Sequence, residues 1–319
     1  MNTNTHLWAG LGHGVTAGAF WGSVFLAPML LADFSALQVT VGRYLVYGLL
    51  AFGLLWPRWK HLPAINREVW WALCVLSLWG NLIYYLFLSY AVQWVGGAVA
   101  SLVVGFLPVV LMLMGVKEHR SPSLRQMLLP LLFSCLGMGF VAWQALQNNA
   151  VWGPSLSPLQ RLYGFLCALG ALICWAVYAQ LNRQYLQRFS AFSSYDWSLL
   201  MGTVTGGLAL LLGCFVWRSA PAEYALMDGV RFWTVVGGVA LGASILGNRS
   251  WNQASRLLPL GLAGSVMVFE TLFALLYSYG WEQRWPSALE LWAVVCLLVG
   301  TGLSFWAHQH QNTRVFVPE

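Results

Sequence analysis

Apolar residues in this chain come in long unbroken runs, not in the one-sided spacing of a helix half-buried in water. A bilayer-spanning helix needs about 20 such residues. Runs of this kind predict helices over 8–31, 35–57, 69–91, 97–116, 126–146, 161–182, 195–217, 231–249, 258–280 and 288–307. Helix breakers and polar turns separate them. Trp56-Pro57-Arg58 closes the second run, since proline cannot continue a helix. Lys117-Glu118-His119-Arg120-Ser121-Pro122 makes a charged turn, and the uncharged stretch from Asn148-Asn149 through Pro154 and Pro158 divides the chain near its middle. The pattern predicts an all-α integral membrane protein with ten transmembrane helices.

Composition agrees. Of 319 residues, 59% are hydrophobic and 8% charged, against about 25% charged in soluble domains. The net charge of +6 does not point to nucleic acid, because the positive residues fall between helices and form no basic stripe. Their distribution instead sets a direction. With the N-terminus inside, Arg58, Lys60, Arg67, Lys117, Arg120, Arg125, Arg183, Arg188, Arg249, Arg256 and Arg314 are cytoplasmic, and only Arg161, Arg218, Arg231 and Arg284 lie outside. The expectation is a multi-pass inner-membrane protein with both termini in the cytoplasm. The opening apolar stretch is long and has no Lys or Arg before it, so it reads as a first spanning helix and not a cleaved signal. The six cysteines sit within apolar runs at no metal-binding spacing, and read as packing residues.

The two halves echo each other. Phe20-Trp21-Gly22 matches Cys174-Trp175-Ala176, and Phe34-Ser35-Ala36-Leu37 matches Phe192-Ser193-Ser194-Tyr195. Ala91-Val92-Gln93, Gly97-Ala98-Val99-Ala100-Ser101 and Pro108 run parallel to Ala254-Ser255-Arg256, Leu260-Gly261-Leu262-Ala263-Gly264 and Thr271. Glu118 and Glu282 close the fourth and ninth helices. Five helices per half is an odd number, so the second copy enters the membrane from the opposite side. This gives two inverted five-helix repeats, 1–147 and 161–310, an architecture common in secondary transporters.

On Trp21-Gly22-Ser23, Gly42-Arg43-Tyr44, Ser89-Tyr90-Ala91 leading to Pro108, and Glu270 with Glu282, the chain resembles the drug/metabolite transporter superfamily, in its EamA-type ten-helix branch. Glu270-Thr271 stands where that family usually has Glu-Pro. The resemblance implies export or exchange of amino acids, amines and related metabolites, and names no substrate.

Charge in hydrocarbon costs roughly 2.5–3.5 kcal/mol on insertion scales, so such residues face partners or water-filled paths. Arg43, in the second run, and Glu270, in the ninth, are the deepest. Arg43 suits a carboxylate, and Glu270 suits an amine or a coupling proton. A zwitterionic amino acid suits both, although either residue could equally be a structural anchor. Trp21 and Trp175 occupy matching places and, with Tyr178, could line the path by cation–π contact or stacking. Asn81, Tyr84 and Tyr85 on the third helix and Asn248 with Asn252 on the eighth are substrate contacts or interhelical glue. Gly10, Gly14, Gly18 and Gly22 make a smooth ridge, with a shorter version at Gly202 and Gly206, for close helix approach.

No P-loop, GxSxG, HExxH or paired-His spacing occurs. The expected partners are therefore a small-molecule substrate (amino acid or amine), the lipid bilayer and protons, with no cofactor, no metal and no catalytic residue. Two rival readings are a quaternary-amine or organic-cation transporter and a membrane-embedded lipid-modifying enzyme.

Overall fold

The computed structural model describes residues 3–114, 124–147, 156–216, 226–257 and 268–314, which are almost wholly helical. The helices are α1 (Thr3–Gly22), α2 (Leu26–Leu30), α3 (Ala36–Leu55), α4 (Arg67–Ser77), α5 (Ile83–Val95), α6 (Gly97–Val104), α7 (Leu107–Met114), α8 (Leu124–Gln147), α9 (Pro158–Arg188), α10 (Ser194–Val216), α11 (Leu226–Val239), α12 (Asn248–Leu257), α13 (Val268–Glu282) and α14 (Ala288–Arg314). Two π-helical stretches, Leu78–Leu82 and Ala240–Gly247, join α4 to α5 and α11 to α12. Among the described residues, five helical segments are long and apolar enough to cross a membrane: Ala36–His61, Arg67–Val95, Pro158–Arg188, Ser194–Val216 and Met227–Ala254. Shorter apolar helices cover Gly97–Leu111, Leu128–Gln144 and Ala288–Leu303.

The outside of the bundle is as apolar as its core. Leu49, Leu128, Leu211, Phe215 and Leu276 are all exposed. In water such a surface would be an aggregation liability; against lipid it is the favourable one. Trp8, Trp56, Trp70, Trp71, Trp233 and Trp285 are exposed as well, as the interfacial belt requires.

The halves interleave. α3 lies along α10, α8 along α14, and α6 faces α13. α1 packs on the α11–α12 span and on α13, while α9 packs on the α4–α5 span, α6 and α7. Each contact joins a helix before residue 147 to one after residue 158. Small residues allow the tightest crossings. A Cβ on Gly206 would lie 2.5 Å from Gly48 Cα, and one on Gly22 would lie 2.8 Å from Ala274 N. Ion pairs between the halves close both ends: Arg58–Asp196 at 2.6 Å and Arg188–Glu68 at 2.7 Å at one end, Arg231–Asp33 at 2.7 Å at the other.

Two expected helices are broken. The run over 8–31 splits between α1 and α2. Pro28 has no N–H to offer the carbonyl of Val24, four residues back, and the Tyr85 hydroxyl donates to that carbonyl instead at 3.2 Å. The fourth run splits between α6 and α7 at Gly105-Phe106, where Pro108 likewise withholds a donor from Val104. The sixth helix is longer than expected, because Ser157 caps its start by accepting from Gln160 N–H and apolar packing continues to Arg188. The expected features at 117–122, 148–154 and 260–264 lie outside the described residues.

Candidate functional site

Ser35 sets the register of α3. Its hydroxyl accepts from Gln38 N–H, and the Gln38 side chain accepts from Ser35 N–H, two helix-end donors satisfied reciprocally. Two turns on, Arg43 lies inside the bundle at 6% exposure. The tip of Phe232 fills the space where a side chain on Gly42 would stand, so the backbone at Arg43 is held close to α11. The guanidinium carbon sits 4.1 Å from the Tyr85 ring centre and 5.1 Å from that of Tyr44. These are favourable cation–π contacts, but aromatic faces accept no strong hydrogen bonds. Arg43 Nε and Nη1 are buried and have no partner. An arginine with orphaned donors in a low-dielectric interior is costly unless something anionic joins it.

Glu270 is half-buried in the first turn of α13. The glycine ridge seats it. A Cβ on Gly18 would come to 3.0 Å from Glu270 N, and one on Gly22 to 3.1 Å from Glu270 O. On the other side Thr271 packs its side chain where a Cβ of Gly105 would be, so α13 is wedged between α1 and the break in the fourth helix. Glu270 lies within electrostatic reach of both Arg43 and Tyr84. The two groups therefore belong to one region, in which Arg43 Nε and Nη1 have no partner.

Aromatic rings wall that region. Trp175 stands 5.0 Å from Tyr84 and 5.0 Å from Tyr178, and Tyr85 meets Tyr44 edge-on at 5.8 Å. The Tyr178 ring rests on Gly80, in the π-helical stretch of the third span, with Cγ 2.5 Å from where a Cβ would be. Tyr47, one turn beyond Arg43 on α3, is 97% buried and donates its hydroxyl to Ser198 O at 3.3 Å.

The structure thus brings together six of the residues singled out from sequence: Arg43, Tyr84, Tyr85, Trp175, Tyr178 and Glu270. The other four stand differently. Asn81 gives its amide to Thr205 Oγ1 at 3.0 Å and joins the third span to α10. Asn248 bonds Ser244 O, one turn back in its own span. Asn252, one turn further along α12, is half-buried. Trp21 donates to Ala243 O at 3.1 Å, its ring 5.5 Å from Trp251. Ala243 belongs to the second π-helical stretch, whose carbonyls lack the regular partners of an α-helix. Sequence reasoning left Tyr44 and Tyr47 off the site. The signal was present, since Tyr47 stands four residues from Arg43 and so shares its face.

A helical bundle with an apolar exterior, two intramembrane charges and an aromatic wall is the construction of a multi-pass membrane transporter. The chain belongs to the EamA-like transporter family, whose model matches residues 8–146 and again 162–306. It is similar to the inner membrane protein YtfF of Escherichia coli (strain K12), with 29% identity covering 98% of this chain and 99% of that one. A solved crystal structure has the same fold with a TM-score of 0.60 at 16% identity, covering 92% of this chain and 96% of that chain.

Proposed function

We propose that this protein is an inner-membrane secondary transporter that exports or exchanges small zwitterionic or amine metabolites, amino acids foremost, by alternating access. The observation that carries the reading is the buried Arg43 guanidinium, its Nε and Nη1 without a partner, with the Glu270 carboxyl within electrostatic reach in one aromatic-walled region. A carboxylate satisfies the orphaned Arg43 donors, and an ammonium satisfies Glu270. Both desolvation costs are thereby offset by one ligand. The architecture proposed is ten helices in two inverted repeats, 1–147 and 161–310. The two family-model matches and the reciprocal packing, α1 on the eighth span and α9 on the third, support it. A carrier built this way needs no catalytic residue.

The organic-cation reading has its own support. Tyr84 lies within electrostatic reach of the Glu270 carboxylate, and the Trp175 and Tyr178 rings follow it in a row, a surrounding that suits a quaternary amine. Glu270→Gln keeps size and polarity, so the protein folds in normal amount. In proteoliposomes it loses uptake of labelled amino acids and quaternary amines alike. Uptake at the wild-type rate would make Glu270 structural.

The orientation we propose has both termini in the cytoplasm and the connector around residue 152 outside. The Lys/Arg distribution supports this orientation. A phosphatase fused at residue 152 is active and a fluorescent protein fused there is dark. The reverse pattern would invert the topology.

A further inference from the structure

The turn between α13 and α14 gathers charges that substrate binding does not use. α13 ends where Gln283 adopts φ 49° and Arg284 N–H reaches back to Tyr279 O at 3.3 Å, the bonding of a Schellman turn. α14 begins with a capping box. Ser287 N–H donates to Glu290 Oε2 at 2.8 Å, and Glu290 N–H donates to Ser287 Oγ at 3.2 Å. Arg284 ties the two ends together. Nη1 donates to Glu290 Oε2, Nη2 to Glu290 Oε1 and Nε to Glu282 Oε2, each at 2.7 Å. Its guanidinium carbon lies 4.9 Å from the Tyr279 ring centre.

The donors do not go round. One arginine faces two carboxylates, and both are buried, Glu282 at 8% and Glu290 at 1% side-chain exposure. Both oxygens of Glu290 are bonded. Glu282 is satisfied on one side only: its Oε1 is buried with no partner, and so is the Tyr279 hydroxyl. A buried carboxylate oxygen without a donor is the unstable member of such a set.

We propose that Glu282 is a proton-binding site, taking a proton from water onto Oε1, and that its occupancy sets the grip between α13 and α14. The step forms one O–H bond and removes the surplus negative charge, leaving Arg284 paired with Glu290. The Oε2···Nε contact then changes from an ion pair to a bond between the guanidinium and a neutral acid, and weakens. Burial pushes the Glu282 carboxyl above its ordinary range, against the pull of Arg284 and with a smaller push from Glu290. The groups facing Glu282 are Arg284, Glu290 and Tyr279. Glu270 lies twelve residues away along α13, about 18 Å at the helical rise. The proton site therefore acts on the far end of the helix that carries Glu270, and does not depend on which solute is carried.

The test is hydrogen exchange of residues 283–290 in the purified full-length protein, corrected for intrinsic rates, between about pH 5 and 8. Wild type loses protection several-fold as pH falls. Glu282→Gln is poorly protected and flat with pH, while Glu270→Gln keeps the wild-type transition. Flat protection in wild type, or a transition that survives in Glu282→Gln, overturns the proposal. Arg284→Lys keeps the charge but loses the fork, so its transition moves to higher pH. A transition that stays put overturns the proposal too, and this variant decides if Glu282→Gln does not fold.

Discussion

Replacing Arg43 by lysine lowers affinity for amino acids by roughly ten- to a hundredfold and leaves the yield of folded protein unchanged. A hydrogen bond to a charged group is worth about 1.5–3 kcal/mol, and each 1.4 kcal/mol is a factor of ten. Lysine keeps the positive charge, yet it has no planar fork to offer a carboxylate and no flat face to lie on the Tyr85 ring. Arg43→Ala behaves differently. It removes an uncompensated buried charge together with the side chain that packs on Tyr85 and Tyr44, so binding disappears while the protein still folds. If Arg43 were only an anchor, Arg43→Lys would bind normally and Arg43→Ala would fail to fold. Trp21→Phe separates the organic-cation reading. The Trp21 N–H is bonded to Ala243 O, so this change loosens the eighth span and costs less affinity than Arg43→Lys. Affinities measured side by side by calorimetry decide between the two.

The second large effect lies in the seam between α3 and α10. Gly206→Ala sharply lowers the amount of folded protein and its melting temperature. The added Cβ would lie 2.5 Å from Gly48 Cα and 3.3 Å from Gly48 C, backbone atoms that cannot turn aside. Forcing extra methyl groups into a packed core costs about 1–3 kcal/mol, and here it parts two whole helices. The neighbouring Gly207 is the control, since nothing lies within 4 Å of its Cβ position. Gly207→Ala should melt as wild type does. Equal melting of the two variants would show that the seam tolerates separation.

Hydropathy made the helices legible because lipid demands long apolar runs, and no other pattern meets that demand. It could not show the breaks after Gly22 and Val104. These depend on who supplies the hydrogen bond that a proline withholds, and for Val24 the donor is Tyr85, 61 residues away. The glycine ridge was visible as spacing, but its purpose, seating the backbone of Glu270 against α1, needed the partner helix. Arg43 and Glu270 stood out because charge is rare in these runs. That they come within electrostatic reach of each other depends on tertiary placement. Asn81 and Asn248 looked equally chemical in sequence and turned out to hold helices together or to brace their own span, since an amide buried in an apolar bundle needs a partner whatever its function.

The most direct measurement is a thermal-shift series on the purified protein in detergent, with α-amino acids set against matched simple amines and simple carboxylates. A ligand that binds only the folded state raises its stability by RT ln(1 + [L]/Kd). The account predicts that amino acids raise the melting temperature of wild type more than either single-charge analogue, and that both Arg43→Lys and Glu270→Gln abolish the difference. A shift given equally by simple amines and indifferent to Arg43→Lys, or no shift with any amino acid, would contradict it.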